Sequence, residues 1–275
     1  MLDFQLFRIK VYLPKMKSLF YKDLTPSEFL KETILLKPSA ELRKDFIWHI
    51  GNVSPVEQSG LYFRIGKTTK VKMEIFQDGN FADQEFENAP YTHVILDYNI
   101  EVAAIAKKTK LSNKPVGIAN QLIRLLNGTE FAALNQIKFD ISDISDPSDF
   151  IYYLQTSINI TKFWVTFTRP NAFDINPDFI KPLQCALKEV NGQKGKAILQ
   201  GESLDSHPLE EIARSAAATG DDAAALLQSN EGEKYEQKFL RKNAATFQYQ
   251  DIVEKEDKIK ILKIVRKKYN DIREG

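Results

Sequence analysis

Hydrophobic residues in this chain recur with two different periods, and the change between those periods is the feature that most restricts its fold. From Phe7 to Leu13 every second residue is apolar, which predicts a strand over 4–13. From Thr25 to about Leu36 the spacing is helical, with Thr25 as N-cap and Pro26 in the first turn. A chain that contains both periods is expected to fold with helices packed on sheets.

The same two patterns extend to the end of the chain. Strands are predicted over 46–50, 61–65 and 71–75, and a hairpin over 93–106. The acidic stretch 78–90 has no period and predicts a loop. Helices are then predicted over 115–127, 147–158, 177–190 and 208–219, with strands over 136–141, 162–168 and 197–200 between them. A hairpin (235–240 with 246–249) and a charged helix (251–273) are predicted to end the chain.

These patterns predict an α+β fold with mixed sheets, helices packed on them, a C-terminal hairpin and a terminal helix. Three parts are expected: a mostly β part over 1–112, an α/β part over 113–250 and a helix over 251–275. A single domain that includes all three fits the same patterns.

The cysteine content and the N-terminal residues indicate the cellular compartment in which this protein is expected to function. The single Cys185 excludes an internal disulfide, which fits a reducing compartment. The residues after Met1 lack the pattern of a signal peptide, which is a basic segment and then an apolar segment. No apolar run reaches the length of a membrane span. We therefore expect a cytoplasmic protein without a membrane partner.

Several motifs that could hold a cofactor or metal fail on spacing. Five strand-forming residues separate Gly60 from Gly66, whereas a phosphate-binding loop needs four loop residues. The three histidines and one cysteine lack the spacing of a zinc site. In the acidic series 140, 143, 146 and 149, Asp146 and Asp149 fit a helix N-terminus instead. No resident cofactor or metal is predicted from these motifs.

Lysine-rich segments are the stronger functional lead. Because 38 basic residues balance 37 acidic ones, a polyanion site must be a local patch. Two basic segments contain the predicted nucleic-acid-binding residues: Arg64, Lys67, Lys70, Lys72, Lys107, Lys108, Lys110 and Lys114. A further cluster (Lys10, Lys15, Lys17 and Lys22) follows the first strand. Residues 73–106, by contrast, contain seven acids and no Lys or Arg.

A metal-dependent nuclease site is the alternative. Glu236 and Lys238 share one face of a predicted strand, and Asp222 precedes them. Two carboxylates and an ammonium could surround a water bound to Mg²⁺. The same Glu-x-Lys spacing also occurs at Glu256 inside a predicted helix, so the pattern is not specific.

Five phrases together resemble an uncharacterised bacterial family that carries only a domain-of-unknown-function label. They lie at 86–94, 163–171, 195–197, 201–205 and 218–222, and the likeness covers most of 4–250. In length and element order the chain is also similar to two phage-exclusion proteins, RexA and the KwaB component of the Kiwa system. Both bind DNA, so the resemblance implies DNA binding and anti-phage defence.

These observations predict a nucleic-acid-binding protein of a bacterial anti-phage defence or prophage locus, with sequence-independent phosphate contacts to DNA or RNA. An effector nuclease that uses Asp222, Glu236 and Lys238 with Mg²⁺ remains the alternative. A third hypothesis is a dimeric adaptor that binds a second copy, or a co-encoded defence protein, through the apolar stripe of the terminal helix.

Overall fold

The computed structural model describes residues 1–14, 21–168 and 179–275. Across these residues the chain forms an α+β fold, which confirms the predicted fold class. The strands are β1 (Leu2–Tyr12), β2 (Ser39–Arg43), β3 (Phe46–Val56), β4 (Gly60–Gln77), β5 (Asn80–Asn88), β6 (Tyr91–Asp97), β7 (Val102–Ala106), β8 (Lys138–Asp143), β9 (Asn159–Thr168), β10 (Lys194–Gln200), β11 (Ala223–Gln228), β12 (Glu236–Phe239) and β13 (Thr246–Tyr249). The helices are α1 (Pro26–Leu35), α2 (Pro115–Asn127), α3 (Glu130–Leu134), α4 (Ser148–Thr156), α5 (Ile180–Glu189), α6 (Ser206–Thr219) and α7 (Lys255–Glu274).

By its internal contacts the chain divides into two compact units. The first comprises Met1–Phe4, Val11–Ile141 and Gln248–Leu262, and the second comprises Gln5–Lys10, Ser142–Phe247 and Lys263–Gly275. β1, β8, β13 and α7 therefore carry residues of both units. The three-part division predicted from the sequence stays a prediction.

The first unit is built on antiparallel strands in the order β7-β6-β4-β3-β2, where mixed sheets were expected. α2 buries Ile118, Leu122 and Leu126, the side chains that its apolar spacing singles out. α1 begins where predicted, with a capping box: the Thr25 hydroxyl accepts from the Glu28 amide, and the Glu28 carboxylate accepts from the Thr25 amide. Those two helix predictions are confirmed.

The loop predicted over 78–90 is wrong, because β5 forms there. β5 pairs with β4 over nine residues, from Thr69 opposite Asn88 to Gln77 opposite Asn80. Asp78 and Gly79 both have positive φ, 52° and 81°, as a two-residue hairpin turn requires. Every residue of β5 is exposed, so no buried face imposes the apolar alternation by which strands are recognised in a sequence.

The second unit contains an antiparallel sheet in the order β10-β9-β11-β12. The predicted C-terminal hairpin does not form, because β12 pairs with β11 and β13 belongs to the other sheet. β11 was not predicted: its sequence, Ala-Ala-Ala-Leu-Leu-Gln, has no alternation and is largely buried. α6 ends at Gly220, as expected.

α7 confirms the predicted terminal helix, and Leu262, Val265 and Tyr269 of its apolar stripe are buried. The first residues of the helix predicted from Pro177 lie outside the described residues, as do Lys15 and Lys17. Within the described parts of the chain, no helix is long and apolar enough to cross a lipid bilayer.

Candidate functional site

A cleft of about 450 Å³ in the first unit brings together three of the predicted basic residues. Arg64 reaches it from β4, and Lys108 and Lys110 reach it from the turn after β7. Tyr91 and His93 of β6 line the same space, and among the described residues Asp251 is the one acid in its lining. This space, called the basic cleft below, has the charge that an anionic ligand needs.

Arg64 is held in place by two tyrosines. Its guanidinium carbon lies 4.3 Å from the centroid of the Tyr91 ring, a cation–π contact. Its Nε donates a hydrogen bond of 3.1 Å to the Tyr62 hydroxyl. Arg64 therefore reaches the basic cleft in a fixed orientation, with the remaining guanidinium N–H groups available as donors.

His93 lies directly opposite Arg64 in the β4–β6 pair, and its Nδ1 is 2.9 Å from the Tyr62 hydroxyl. The Tyr62 hydroxyl thus joins the two residues, since it is hydrogen-bonded to Nδ1 of His93 and also accepts from Nε of Arg64. Burial lowers the pKa of His93, and the nearby charge of Arg64 lowers it further. His93 is consequently neutral at pH 7.

A fourth cation next to these residues was not predicted. Nζ of Lys258, on α7, lies 4.1 Å from the centroid of the Tyr62 ring and 3.4 Å from Oγ of Ser54. Burial lowers the pKa of Lys258, and so does the positive charge of Arg64. Lys258 carries no sequence signal for this site, because its position near the end of the chain does not indicate that it lies against β4.

The other residues of the first basic segment lie elsewhere. Lys67 is three positions from Arg64 on β4, so the two side chains point to opposite faces of the strand. Its Nζ lies 5.0 Å from the Phe46 ring centroid instead. Lys70 and Lys72 are exposed on the outer part of β4, where Lys70 lies 3.8 Å from a Glu85 carboxylate oxygen.

Lys107 and Lys114 are also exposed but do not line the basic cleft. Lys114 is the N-cap of α2, and no side chain caps that helix. In the other predicted cluster, Lys10 is buried in the second unit with Asp221, while Nζ of Lys22 lies over the Phe131 ring. The structure thus assembles Arg64, Lys108 and Lys110, and not the whole predicted set.

The alternative nuclease residues lie on the second unit's sheet. Glu236 and Lys238 form an ion pair of 2.6 Å, which lowers the pKa of the Glu236 carboxyl and raises that of the Lys238 ammonium. Glu236 pairs with Leu227, whereas Asp222 lies five residues earlier, a distance of about 17 Å along the strand. Asp222 is therefore not grouped with Glu236. Among the described residues, no three histidine, cysteine or carboxylate side chains converge as a metal site.

No protein-family model matches the chain, and the search of curated proteins finds no match either.

Proposed function

We propose that this protein binds nucleic acid through phosphate contacts in the basic cleft. The observation that carries the proposal is the convergence of Arg64, Lys108 and Lys110 on one space. In the part of the chain that the structure describes, a single carboxylate, that of Asp251, opposes them there. Lysine supplies a point charge to a phosphate, and arginine supplies a planar pair of donors. Contacts from these groups to phosphate oxygens carry no base information, so binding through them is independent of sequence.

The aromatic lining supports a nucleic acid over a small inorganic anion. Tyr91 is 43% exposed, and one face of its ring is covered by Arg64. An accessible tyrosine beside phosphate-binding cations provides a surface on which a base can stack. A polynucleotide can therefore use the cations and the ring together, which a free phosphate cannot.

Fluorescence anisotropy with labelled single-stranded DNA, duplex DNA and RNA tests the proposal. Three phosphate contacts predict a salt slope of about −2 to −3, so raising salt from about 50 to about 200 mM weakens binding by roughly 15- to 60-fold. The triple variant Arg64→Ala, Lys108→Ala, Lys110→Ala should lose both the affinity and the slope.

A matched control removes the same charge from the second unit. Lys181, Lys188 and Lys194 are exposed there, and their triple alanine variant should bind as the wild type does. Equal losses in the two triple variants, or wild-type binding that is indifferent to salt, would exclude the basic cleft as the site. Gel analysis of the same samples reports any cleavage, which would favour the nuclease alternative.

The resemblance to bacterial defence proteins supports a biological setting for this binding. We propose that it serves anti-phage defence, since phage nucleic acid enters as a polyanion in the cytoplasm. A host that expresses the wild type should reduce phage plaque formation, and the cleft triple variant should not. Equal plaque counts with both proteins would separate the binding from any defence role.

A further inference from the structure

β5 and the outer part of β4 form a two-stranded ribbon of residues 69–88, called the β4–β5 ribbon. β3 pairs with β4 only as far as Thr68, so the edge of β4 on that side has no strand partner from Thr69 to Gln77 among the described residues. Unpaired N–H and C=O groups along a strand edge are a template for another strand.

One face of the β4–β5 ribbon is mostly apolar and at least partly exposed along its length. Because side chains alternate, Val71, Met73 and Ile75 share this face with Ala82, Gln84 and Phe86 of β5. Met73 is 55% exposed and Phe86 is 40% exposed. A contiguous exposed apolar stripe of this kind marks an interaction surface in a folded protein.

The opposite face carries the exposed Phe76–Phe81 pair beside the turn and, farther along, charges that are only partly balanced within one chain. Lys72 lies across from Glu85, but Glu74 lies across from Asp83, so two carboxylates are direct neighbours. Like charges at directly opposed positions destabilise a strand pair. Glu74 therefore lacks a cation on the side of β5, while its other side faces the free edge of β4.

The free edge of β4 is complementary to itself. If two copies pair antiparallel about Met73, Lys72 of each copy lies opposite Glu74 of the other. Val71 lies opposite Ile75 in the same register, and Lys70 lies opposite Phe76, where a cation–π contact can form. The edge of β5 behaves differently, since pairing about Gln84 places Asp83 opposite Glu85 and is repulsive.

We propose that a second copy of this chain pairs with the free edge of β4, giving a four-stranded antiparallel sheet in the order β5-β4-β4-β5. The two apolar faces become one continuous surface, and each Lys72 neutralises the Glu74 of its partner. The contact is isologous, so it closes at two copies. It is small, and the dimer is correspondingly weak and reversible.

Other registers are less favourable. A shift by one residue places the apolar face of one copy beside the charged face of the other. Pairing about Lys72 puts two ammonium groups opposite each other, and pairing about Glu74 puts two carboxylates opposite each other. Of these registers, the one about Met73 places the apolar faces of both copies side by side and puts no like charges opposite each other.

Sedimentation equilibrium of the full chain, without nucleic acid, from about 1 to about 200 µM tests the proposal. The wild type should approach twice its 31.5 kDa mass at the upper end. Lys72→Glu and Glu74→Lys should each weaken self-association at least about tenfold, since each creates two like-charge pairs. Lys188→Glu, an equal charge change on an exposed residue of α5, should leave it unchanged.

A mixture of the two charge-reversed variants provides the decisive test. In an equimolar mixture of Lys72→Glu and Glu74→Lys, every glutamate at these positions faces a lysine of the other chain, so a heterodimer should form. The double variant Lys72→Glu, Glu74→Lys should dimerise by itself for the same reason. A monomeric wild type, a mixture that stays monomeric, or masses that grow beyond two chains would each overturn the proposal.

Discussion

Arg64, Tyr62 and His93 are joined by two hydrogen bonds. Nε of Arg64 donates to the Tyr62 oxygen, and the Tyr62 hydroxyl is hydrogen-bonded to Nδ1 of His93. Around His93 the charges of Arg64, Lys108 and Lys258 lower its pKa beyond the effect of burial, while Asp251 opposes them. Protonation of His93 would place a further buried cation among these groups.

This arrangement predicts a pH dependence of stability. The pKa of His93 is lower in the folded chain than its unfolded value of about 6.5. Between these two pKa values the unfolded chain binds more protons than the folded chain does. The contribution of neutral His93 to the free energy of unfolding is therefore fully present above about pH 6.5 and declines below it. His93→Asn keeps a hydrogen-bonding side chain beside Tyr62 without a titrating group. Its melting temperature should therefore fall less than that of the wild type between about pH 7.5 and about pH 5.5.

The exposed His207 supplies the control for this measurement. His207→Asn removes a histidine of the second unit that neither lines the basic cleft nor caps α6 with its side chain. Its melting temperature should follow that of the wild type across the same pH range. If His93→Asn loses as much as the wild type on acidification, His93 does not take up the proton that destabilises the fold.

At the scale of single elements, the sequence predicts those helices and strands that are determined by their own residues, through capping side chains or apolar spacing. α1 has its capping residues at Thr25 and Glu28, and α2 has its buried stripe at 3.6-residue spacing. β5 has no buried face and is defined by its pairing with β4, so its sequence resembles a loop. β11 consists mainly of alanine and leucine, which favour helices, and its place in the sheet depends on β9 and β12.

The end of α6 shows how one backbone conformation specifies a residue. Gly220 has φ of 68°, and a Cβ on it would lie 2.5 Å from Cβ of Ser142. Gly220→Ala should therefore lower the free energy of unfolding by about 1–2 kcal/mol from the left-handed conformation alone, and further through the clash. Urea unfolding measures the difference.

Gly232 is the matched position for this test, since its φ is 79° but no atom lies within 4 Å of an added Cβ. Gly232→Ala should show the conformational cost without the clash. Adding Ser142→Gly to Gly220→Ala should recover the part of the loss that the clash causes. Equal destabilisation by the two alanine variants would mean that Ser142 moves aside freely.

For the whole molecule, the basic cleft could be predicted only in part. Arg64, Lys108 and Lys110 belong to the basic segments singled out in the sequence, but their convergence depends on β4, β6 and the turn after β7 meeting in space. Because side chains alternate between the two faces of β4, Lys67 points to the face opposite that of Arg64. Tyr91 and Lys258 carry no sequence signal for this site, because their role depends on contacts between distant segments.

The second unit depends on a strand from the start of the chain. Arg8 donates a buried hydrogen bond of 2.8 Å to the Tyr269 hydroxyl, and buried Lys10 lies 3.4 Å from the Asp221 carboxylate. A fragment of residues 142–275 keeps Tyr269 and Asp221 but loses both cations. The fragment also loses the buried apolar side chains of residues 5–10, each of which contributes about 1.5–3 kcal/mol against the roughly 5–15 kcal/mol that holds a domain folded.

That fragment should therefore lack a cooperative thermal transition on its own. A peptide of residues 1–14 should restore the transition, with a melting temperature that rises with peptide concentration, because the peptide binds only the folded state. The same peptide with Lys10→Met should do so far less, since it leaves Asp221 buried without a cation. Circular dichroism melting distinguishes these outcomes. Cooperative melting of the fragment without any peptide would show that the rest of the unit compensates for Arg8 and Lys10.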